Sequence, residues 1–364
     1  MWSDDPFGFP HFIDSWFGSG MNLHEPLSDR TLKCCLWAGA QLCKYEPPLP
    51  NVAAILSLAE LWMRYVVQSK LTTKHGVLLQ ALHCWSNALH RGTKIAAFCL
   101  QTTEGLSSIL AILANDDGQY DQDVVEQALQ CIFNIVEFSP DLIGGLVERD
   151  VVPVLMNLAR VSSQTIQKDV FWSLFYIVQG TGPEHLGAFE KYVIGPSLQL
   201  FENVPWSVKV GIGRMACKVL DTSKGSPDMI ASIAEAGGIK MICELLRNQL
   251  DNDMILSALG AMNTILGANS SIYNVAFQEN EANDILDSLI DFKSGSIHLL
   301  ASQILFEYFD DDFENESPSW ENVPDDSNDF GHVIKNLFHD DSEPQLSNPI
   351  SPLTLSKNAN WQFK

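Results

Sequence analysis

The feature that most constrains the fold is an internal repeat whose period is slightly above 40 residues. A segment with apolar residues at helical spacing occurs five times and is followed by a sixth, related copy. The six copies are Leu79–Asn87, Glu126–Asn134, Asp169–Tyr176, Val210–Lys218, Leu256–Asn263 and Leu299–Phe309. The first five end at residues 87, 134, 176, 218 and 263, so successive copies lie 47, 42, 42 and 45 residues apart. Self-similarity at this spacing indicates a solenoid of stacked repeats.

A second helix type precedes each of the later copies. Its segments are Gly105–Leu113, Val151–Leu158, Val193–Leu200, Gly238–Leu246 and Asp284–Ile290. Neither helix type can bury its apolar stripe alone, so the units must stack on their neighbours and leave one long concave surface. The pattern therefore predicts an all-α, right-handed superhelical solenoid, and the regular spacing disfavours a generic helical bundle. The residues expected in its core are Val151, Leu155, Leu174, Ile177, Leu245 and Leu259.

Four regions follow from the composition along the chain. Residues 1–24 form an irregular aromatic and acidic segment, and residues 25–71 form two capping helices or a degenerate first repeat. Residues 72–316 form the repeat domain, and residues 317–364 form a disordered acidic tail. The disorder is expected because 12 acidic residues and one lysine lie between Asp310 and Glu343, which leaves too little apolar area for a packed core. Two short amphipathic islands in the tail, Phe330–Phe338 and Trp361–Phe363, are either docking motifs or parts of a solubilising tail.

The overall charge limits the partners. The chain has 22 Lys and Arg against 45 Asp and Glu, a net charge of −23, which repels nucleic acid and anionic membrane surfaces. Its apolar stretches fall well short of the ~20 residues that a membrane span requires. The N-terminus lacks the basic start of a secretory signal. We therefore expect a protein of the cytoplasm and nucleus that binds proteins and not nucleic acid or membranes.

The sequence offers no pattern for catalysis or metal binding. The eight cysteines include no CxxC pair, and most lie in apolar helical patterns, where cysteine acts as a small core residue. No metalloprotease, nucleophile-elbow, phosphate-loop or dinucleotide fingerprint occurs. Cys84 lies near His83 and His90, but a stacked helical repeat offers a groove and not a closed catalytic pocket. We therefore expect no enzyme activity, no cofactor and no metal.

Several segments resemble importin-α, the nuclear-import adaptor built from armadillo repeats. The similar segments are Asn134–Asp141, Trp172–Tyr176 leading into Gly180–Pro183, Ala236–Leu246, and Phe306–Phe309 before an acidic run. They occur in the family's order and cover roughly residues 75–316. The resemblance implies an armadillo-repeat solenoid that binds an extended, basic, nuclear-localisation-signal-like segment in its concave groove and acts in nucleocytoplasmic transport.

The resemblance also implies a set of groove residues. In the family, Trp-x-x-x-Asn pairs line the groove, because residues four apart share one helix face. The corresponding positions here are His83, Asn87, Gln130, Asn134, Trp172, Tyr176, Arg214 and Asn263. Three of the family's tryptophans are replaced, by His83, Gln130 and Leu259, so basic-peptide binding should be weak and centred on Trp172.

The partners follow from the same comparison. The first 29 residues contain no Arg or Lys, so the basic segment that recruits importin-β has no counterpart and importin-β binding should be weak or absent. An export receptor could contact the C-terminal repeat and the acidic tail. The alternative function is an armadillo scaffold that has lost nuclear-import activity and binds a different protein partner.

Overall fold

The computed structural model describes residues 28–44, 52–71, 74–90, 103–115, 118–223, 225–248, 251–291 and 294–309. The N-terminal segment 1–24 and the acidic tail 317–364 lie outside these ranges, so the expectations about them stay predictions. The described ranges contain helices and turns and no β-strand. None of the helices in those ranges combines the length and the apolar character that crossing a bilayer requires.

Seventeen α-helices occur in the described ranges. In chain order they are α1 (Asp29–Leu42), α2 (Val52–Gln68), α3 (His75–Leu89), α4 (Thr103–Ala114), α5 (Gln122–Phe138), α6 (Ile143–Val147), α7 (Val151–Val161), α8 (Gln164–Gly180), α9 (Leu186–Phe189), α10 (Gly195–Phe201), α11 (Trp206–Thr222), α12 (Pro227–Glu235), α13 (Gly238–Asn248), α14 (Asn252–Ala268), α15 (Ser270–Gln278), α16 (Ala282–Ile290) and α17 (Gly295–Tyr308). Each predicted segment of both types lies in a helix, except that Leu299–Phe309 ends one residue beyond α17. The predicted Val193–Leu200 helix begins within a π-helical turn, Glu190–Ile194, that continues into α10.

The helices up to Ile285 form two layers. The first layer consists of α1, α3, α5, α8, α11 and α14, and each of these helices packs on the next. The second layer consists of α2, α4, α7, α10 and α13, which also contact one another in sequence. From α6 onward a short helix precedes each second-layer helix, so a unit contains a short, a medium and a long helix. This arrangement confirms the stacked all-α repeat.

A second compact unit begins at Leu286. Its described part holds α17, on which Ile297, Ala301 and Ile304 are buried. The imidazole Nδ1 of His298 lies 2.6 Å from the carbonyl oxygen of Ile290, within the same unit.

The core of the repeats is apolar and closely packed. All six predicted core residues are at most 2% exposed. Trp85 is also buried, at 1% exposure, and its indole Nε1 donates to the Leu56 carbonyl oxygen at 3.2 Å. Its ring occupies the space that a Cβ on Gly105 would need, so only glycine allows α3 and α4 to approach this closely.

Capping residues define where two first-layer helices begin. The Ser28 hydroxyl accepts from the Thr31 amide at the start of α1, at 3.2 Å. The Asp251 carboxylate accepts from the Met254 amide at the start of α14, at 2.7 Å. Such caps satisfy backbone donors that a helix leaves free at its first turn.

The cysteines are mainly core residues, as predicted. Cys43, Cys84, Cys131, Cys217 and Cys243 are buried thiols, whereas Cys34 is exposed on α1. Burial raises the pKa of Cys43 to about 11 and that of Cys217 to about 12, which keeps both protonated and unreactive.

Candidate functional site

Side-chain hydrogen bonds between first-layer helices fix how the repeats correspond. Asn87 donates through Nδ2 to the Ala40 carbonyl oxygen at 2.9 Å, and Asn134 donates in the same way to the Ser86 carbonyl oxygen at 2.7 Å. Ala40 on α1 therefore corresponds to Ser86 on α3, a shift of 46 residues. By the same shift, Trp37 corresponds to His83, and Gln41 to Asn87.

The same correspondence runs through the remaining first-layer helices and defines one line of residue pairs, which we call the ladder. The ladder pairs are Trp37 and Gln41 on α1, His83 and Asn87 on α3, Gln130 and Asn134 on α5, Trp172 and Tyr176 on α8, Arg214 and Lys218 on α11, and Gly260 and Thr264 on α14. Eleven of these twelve residues are exposed or half-buried, and Asn134 is the exception. The ladder is therefore a continuous, solvent-accessible face of the first layer.

The α14 pair differs by one residue from the sequence expectation. Leu259 is fully buried, so it belongs to the core and cannot replace a groove tryptophan. Asn263 is half-buried, and its Oδ1 has no hydrogen-bond partner in the described part of the chain. The burial pattern of α14 matches that of α11 only when Gly260 and Thr264 take the ladder positions.

The asparagines of the ladder hold neighbouring helices together. Asn134 is 3% exposed, and besides its bond to the Ser86 carbonyl it donates to the Ser86 hydroxyl at 3.1 Å. Its Oδ1 accepts from Gln130 Nε2 at 2.7 Å. Asn134 uses both Nδ2 hydrogens within the protein, so it cannot donate to a peptide backbone, whereas Asn87 is half-buried and uses one of its two.

The face of Trp172 is covered by a cation from the protein itself. The Cζ atom of Arg214 lies 5.5 Å from the Trp172 ring centroid, a distance typical of a cation–π contact. The Arg214 Nη2 donates to both carboxylate oxygens of Asp251 at 3.0 Å, so the capping residue of α14 also holds the guanidinium in place. Arg214 therefore occupies one position in which a ligand lysine or arginine would stack on Trp172.

Two further ladder residues have shifted pKa values. Burial lowers the pKa of His83, and the nearby positive charge of Lys44 lowers it further, so His83 is a neutral polar residue at pH 7. Burial raises the pKa of Tyr176, with a smaller increase from Glu137 and an opposing effect of Arg214. The Tyr176 ring packs edge-on against Phe133 at 5.5 Å, which anchors it to α5.

The charges that lie one or two helical turns from the ladder pairs differ in sign between α1 and α5. Near the α1 pair these charges are basic, since Arg30 and Lys33 lie one or two turns before it and Lys44 lies in the turn that follows the helix. At the corresponding positions, α5 carries only acidic residues: Asp123, Glu126 and Glu137. On α11 the charges are balanced, since Lys218 Nζ lies 2.6 Å from Asp221 and Arg214 pairs with Asp251. The net charge of −23 therefore does not make this face uniformly acidic.

Sequence reasoning missed Trp37 and Gln41. They lie before the stretch that resembles importin-α, so a comparison limited to residues 75–316 could not find them. The available signal was the spacing, because Trp37 precedes His83 by one repeat period and has a polar amide one turn later. Trp37 is 56% exposed, the most exposed tryptophan in the described part of the chain.

Comparison with known proteins identifies the fold. No protein-family model matches the sequence, and no curated protein matches it either. A designed armadillo repeat protein in complex with the peptide (KR)4 matches with a TM-score of 0.56 and 20% identity, over 68% of this chain and 99% of that one. Computationally designed armadillo repeat proteins for modular peptide recognition match with a TM-score of 0.57 and 20% identity, over 68% of this chain and all of theirs. The chain therefore has the armadillo-repeat fold expected from its sequence.

Proposed function

We propose that this protein is a binding adaptor that holds an extended segment of a partner protein along the ladder. The observation that carries the proposal is the continuity of the ladder, which presents aromatic and polar side chains in register on six stacked helices. A rigid face with regularly spaced side chains suits an extended peptide, whose own side chains also recur at regular intervals. One designed protein of this fold is in complex with the peptide (KR)4 and others were designed for modular peptide recognition, which supports the same use of the fold here.

The ligand carries a basic side chain where it crosses α5. Asp123 is exposed, and Glu126 and Glu137 are half-buried beside Gln130. No lysine or arginine of the described ranges forms an ion pair with these three carboxylates. Burial raises the pKa of Glu137, and a cationic ligand group would offset that cost of ionisation. The carboxylates of α5 thus support the binding of a basic peptide, which the sequence led us to expect. We propose this contact at α5 and not at Trp172.

Fluorescence anisotropy with labelled peptides tests this proposal. The chain should bind a (KR)4 peptide more tightly than a Gln and Ser peptide of equal length. Replacing both Glu126 and Glu137 with Gln should weaken (KR)4 binding about tenfold, since each carboxylate contributes on the order of 0.7 kcal/mol at a partly exposed site. Glu235→Gln on α12 is the matched control, because it removes an exposed carboxylate away from the ladder. Equal affinity of the double variant and the control would reject the α5 assignment.

A role in nucleocytoplasmic transport, with the protein in cytoplasm and nucleus, is the more specific form of this proposal. Its support is the resemblance to importin-α together with the acidic residues of α5. The covered face of Trp172 and the fully bonded Nδ2 of Asn134 favour the alternative, a scaffold that binds a different partner without import activity.

An import assay in permeabilised cells distinguishes the two functions. If the chain is an import adaptor, nuclear accumulation of a reporter with a basic localisation signal should depend on the chain and fall with the double Glu126 and Glu137 variant. Accumulation that is the same with and without the chain supports the scaffold. A parallel titration should show weak or no binding of importin-β.

A further inference from the structure

The exposed side of α1 carries an unusual combination of side chains. Arg30, Lys33, Trp37 and Gln41 follow one another at intervals of three and four residues, so they lie on one face of the helix. Lys44 is exposed in the turn that follows α1, where its amide donates to the Gln41 carbonyl oxygen. The opposite side packs into the core through Leu32, Leu36, Gly39, Ala40 and Cys43. We call the exposed face, together with Lys44, the α1 stripe. It presents three cations around an exposed indole.

The cations of the α1 stripe are not neutralised by the described part of the protein. No carboxylate of the described residues pairs with Arg30, Lys33 or Lys44, and Asp29 of the same helix pairs with Lys74 at 2.8 Å. The Lys33 side chain lies over Gly76 of α3, in the space that a Cβ would need, so Lys33 extends toward the next ladder helix. In a protein with a net charge of −23, three cations that pair with no carboxylate of the described residues mark a site for an anionic group.

We propose that the α1 stripe binds an acidic segment of the partner protein that also carries an apolar side chain. The carboxylates pair with Arg30, Lys33 and Lys44, and the apolar side chain packs on the Trp37 indole. A nucleic acid does not fit, because its continuous negative charge would continue onto the carboxylates of α5. This inference rests on the proposed function, since it assigns the ligand chemistry at one end of the same ladder.

The α1 stripe and the α5 carboxylates together define the order of charges in the ligand. Neighbouring packed helices lie about 8–10 Å apart, so α1 and α5 are separated by about 16–20 Å. An extended chain advances about 3.3 Å per residue, so this distance corresponds to about five or six residues. The ligand therefore has an acidic block with an apolar residue and a basic block, with centres about five or six residues apart.

The test uses the full chain and three fluorescein-labelled peptides. The first is an acidic octapeptide of Glu and Asp with one central Leu, the second is (KR)4, and the third joins an acidic block and a basic block with centres about six residues apart. The parent protein should bind the acidic octapeptide, and the joined peptide should bind at least tenfold more tightly than either single-block peptide.

Substitutions in the α1 stripe should affect binding of the acidic peptide selectively. Replacing both Lys33 and Lys44 with Gln should weaken acidic-peptide binding at least tenfold and reduce its salt dependence, while (KR)4 binding is unchanged. Trp37→Ala should weaken acidic-peptide binding several-fold and remove the change in tryptophan emission on binding, and Trp37→Phe should restore most of the affinity. Arg160→Gln is the matched control, since Arg160 is an exposed cation on α7 in the second layer.

The outcomes separate this inference from the proposed function. The inference would be overturned if the parent protein does not bind the acidic peptide, or if Arg160→Gln weakens acidic-peptide binding as much as the double Lys33 and Lys44 variant does. In either case, (KR)4 binding at α5 would still support the adaptor. The chain's own tail is the competing occupant. If replacing Asp310, Asp311 and Asp312 with Asn raises acidic-peptide affinity at least tenfold, the chain's own tail occupies the α1 stripe. That result would reject the proposal that a partner segment binds there.

Discussion

Asp169 should make the stability of the repeat domain depend on pH in the direction opposite to that of an ordinary paired carboxylate. Its side chain is 3% exposed on α8, one turn before Ser173. Burial raises the pKa of Asp169 from an ordinary value of 3.8 to about 7, with Lys168 opposing the shift and Glu126 adding to it. The folded protein therefore holds the neutral carboxyl more readily than the unfolded chain does.

The sign and size of the effect follow from linkage. Well below about pH 4 the carboxyl is protonated in both the folded protein and the unfolded chain, so folding does not bury a charge at this position. Between about pH 4 and 7 the unfolded chain ionises first, so the free energy of unfolding falls as pH rises, and above pH 7 the loss is constant. A shift of about 3 pH units at about 1.36 kcal/mol per unit gives an upper limit of about 4 kcal/mol.

Urea unfolding of the parent and of Asp169→Asn at pH 4.5, 6, 7 and 8 measures this effect. The variant cannot ionise, so its stability relative to the parent should rise with pH by about 2–4 kcal/mol between pH 4.5 and 8. Any fixed cost of burying the amide is the same at every pH and cancels in this difference. Asp253→Asn, an exposed substitution on α14, is the control. The reasoning would be refuted if the difference in free energy of unfolding between Asp169→Asn and the parent does not change with pH.

Three further substitutions test the packing and the ladder. Trp85→Ala should lower the free energy of unfolding by about 3–5 kcal/mol in urea titrations, because it removes a fully buried ring and its bond to Leu56. Asn134→Ala should lower it by about 1–3 kcal/mol, since the Ser86 carbonyl loses its side-chain donor in a buried environment; no loss would mean that this amide does not hold α3 and α5 together. Arg214→Ala should expose the Trp172 ring, shift its emission to longer wavelength and raise (KR)4 affinity about two- to thirtyfold, for a cation–π contact of about 0.5–2 kcal/mol. If Arg214→Ala binds (KR)4 with the same affinity as the parent, then the protein's own cation does not block a peptide site at Trp172.

The sequence alone determined the architecture. The repeat period, the alternation of two helix types and the core positions such as Leu155 and Leu174 all follow from the spacing of apolar residues, which is a local property of each helix. Burial of Trp85 could also be predicted, because it lies two residues from Asn87 and therefore on another side of the helix. The all-α solenoid thus followed from the spacing of the residues, and the resemblance to importin-α indicated its armadillo class.

Only the tertiary structure decided which of the predicted site residues are available to a ligand. The resemblance to importin-α put Leu259 at a groove position, whereas the apolar spacing put it in the core, where it lies. A shift of one residue turns a side chain by about 100° around a helix axis, and packing against α11 puts Gly260 at the ladder position. Packing also determined that Asn134 bonds to α3 and that Arg214 covers Trp172. These contacts join residues about 40 or more positions apart, so they depend on how neighbouring helices stack and not on the pattern within one helix. The exposure of Trp37 has the same cause, since stacking leaves that side of α1 open to solvent.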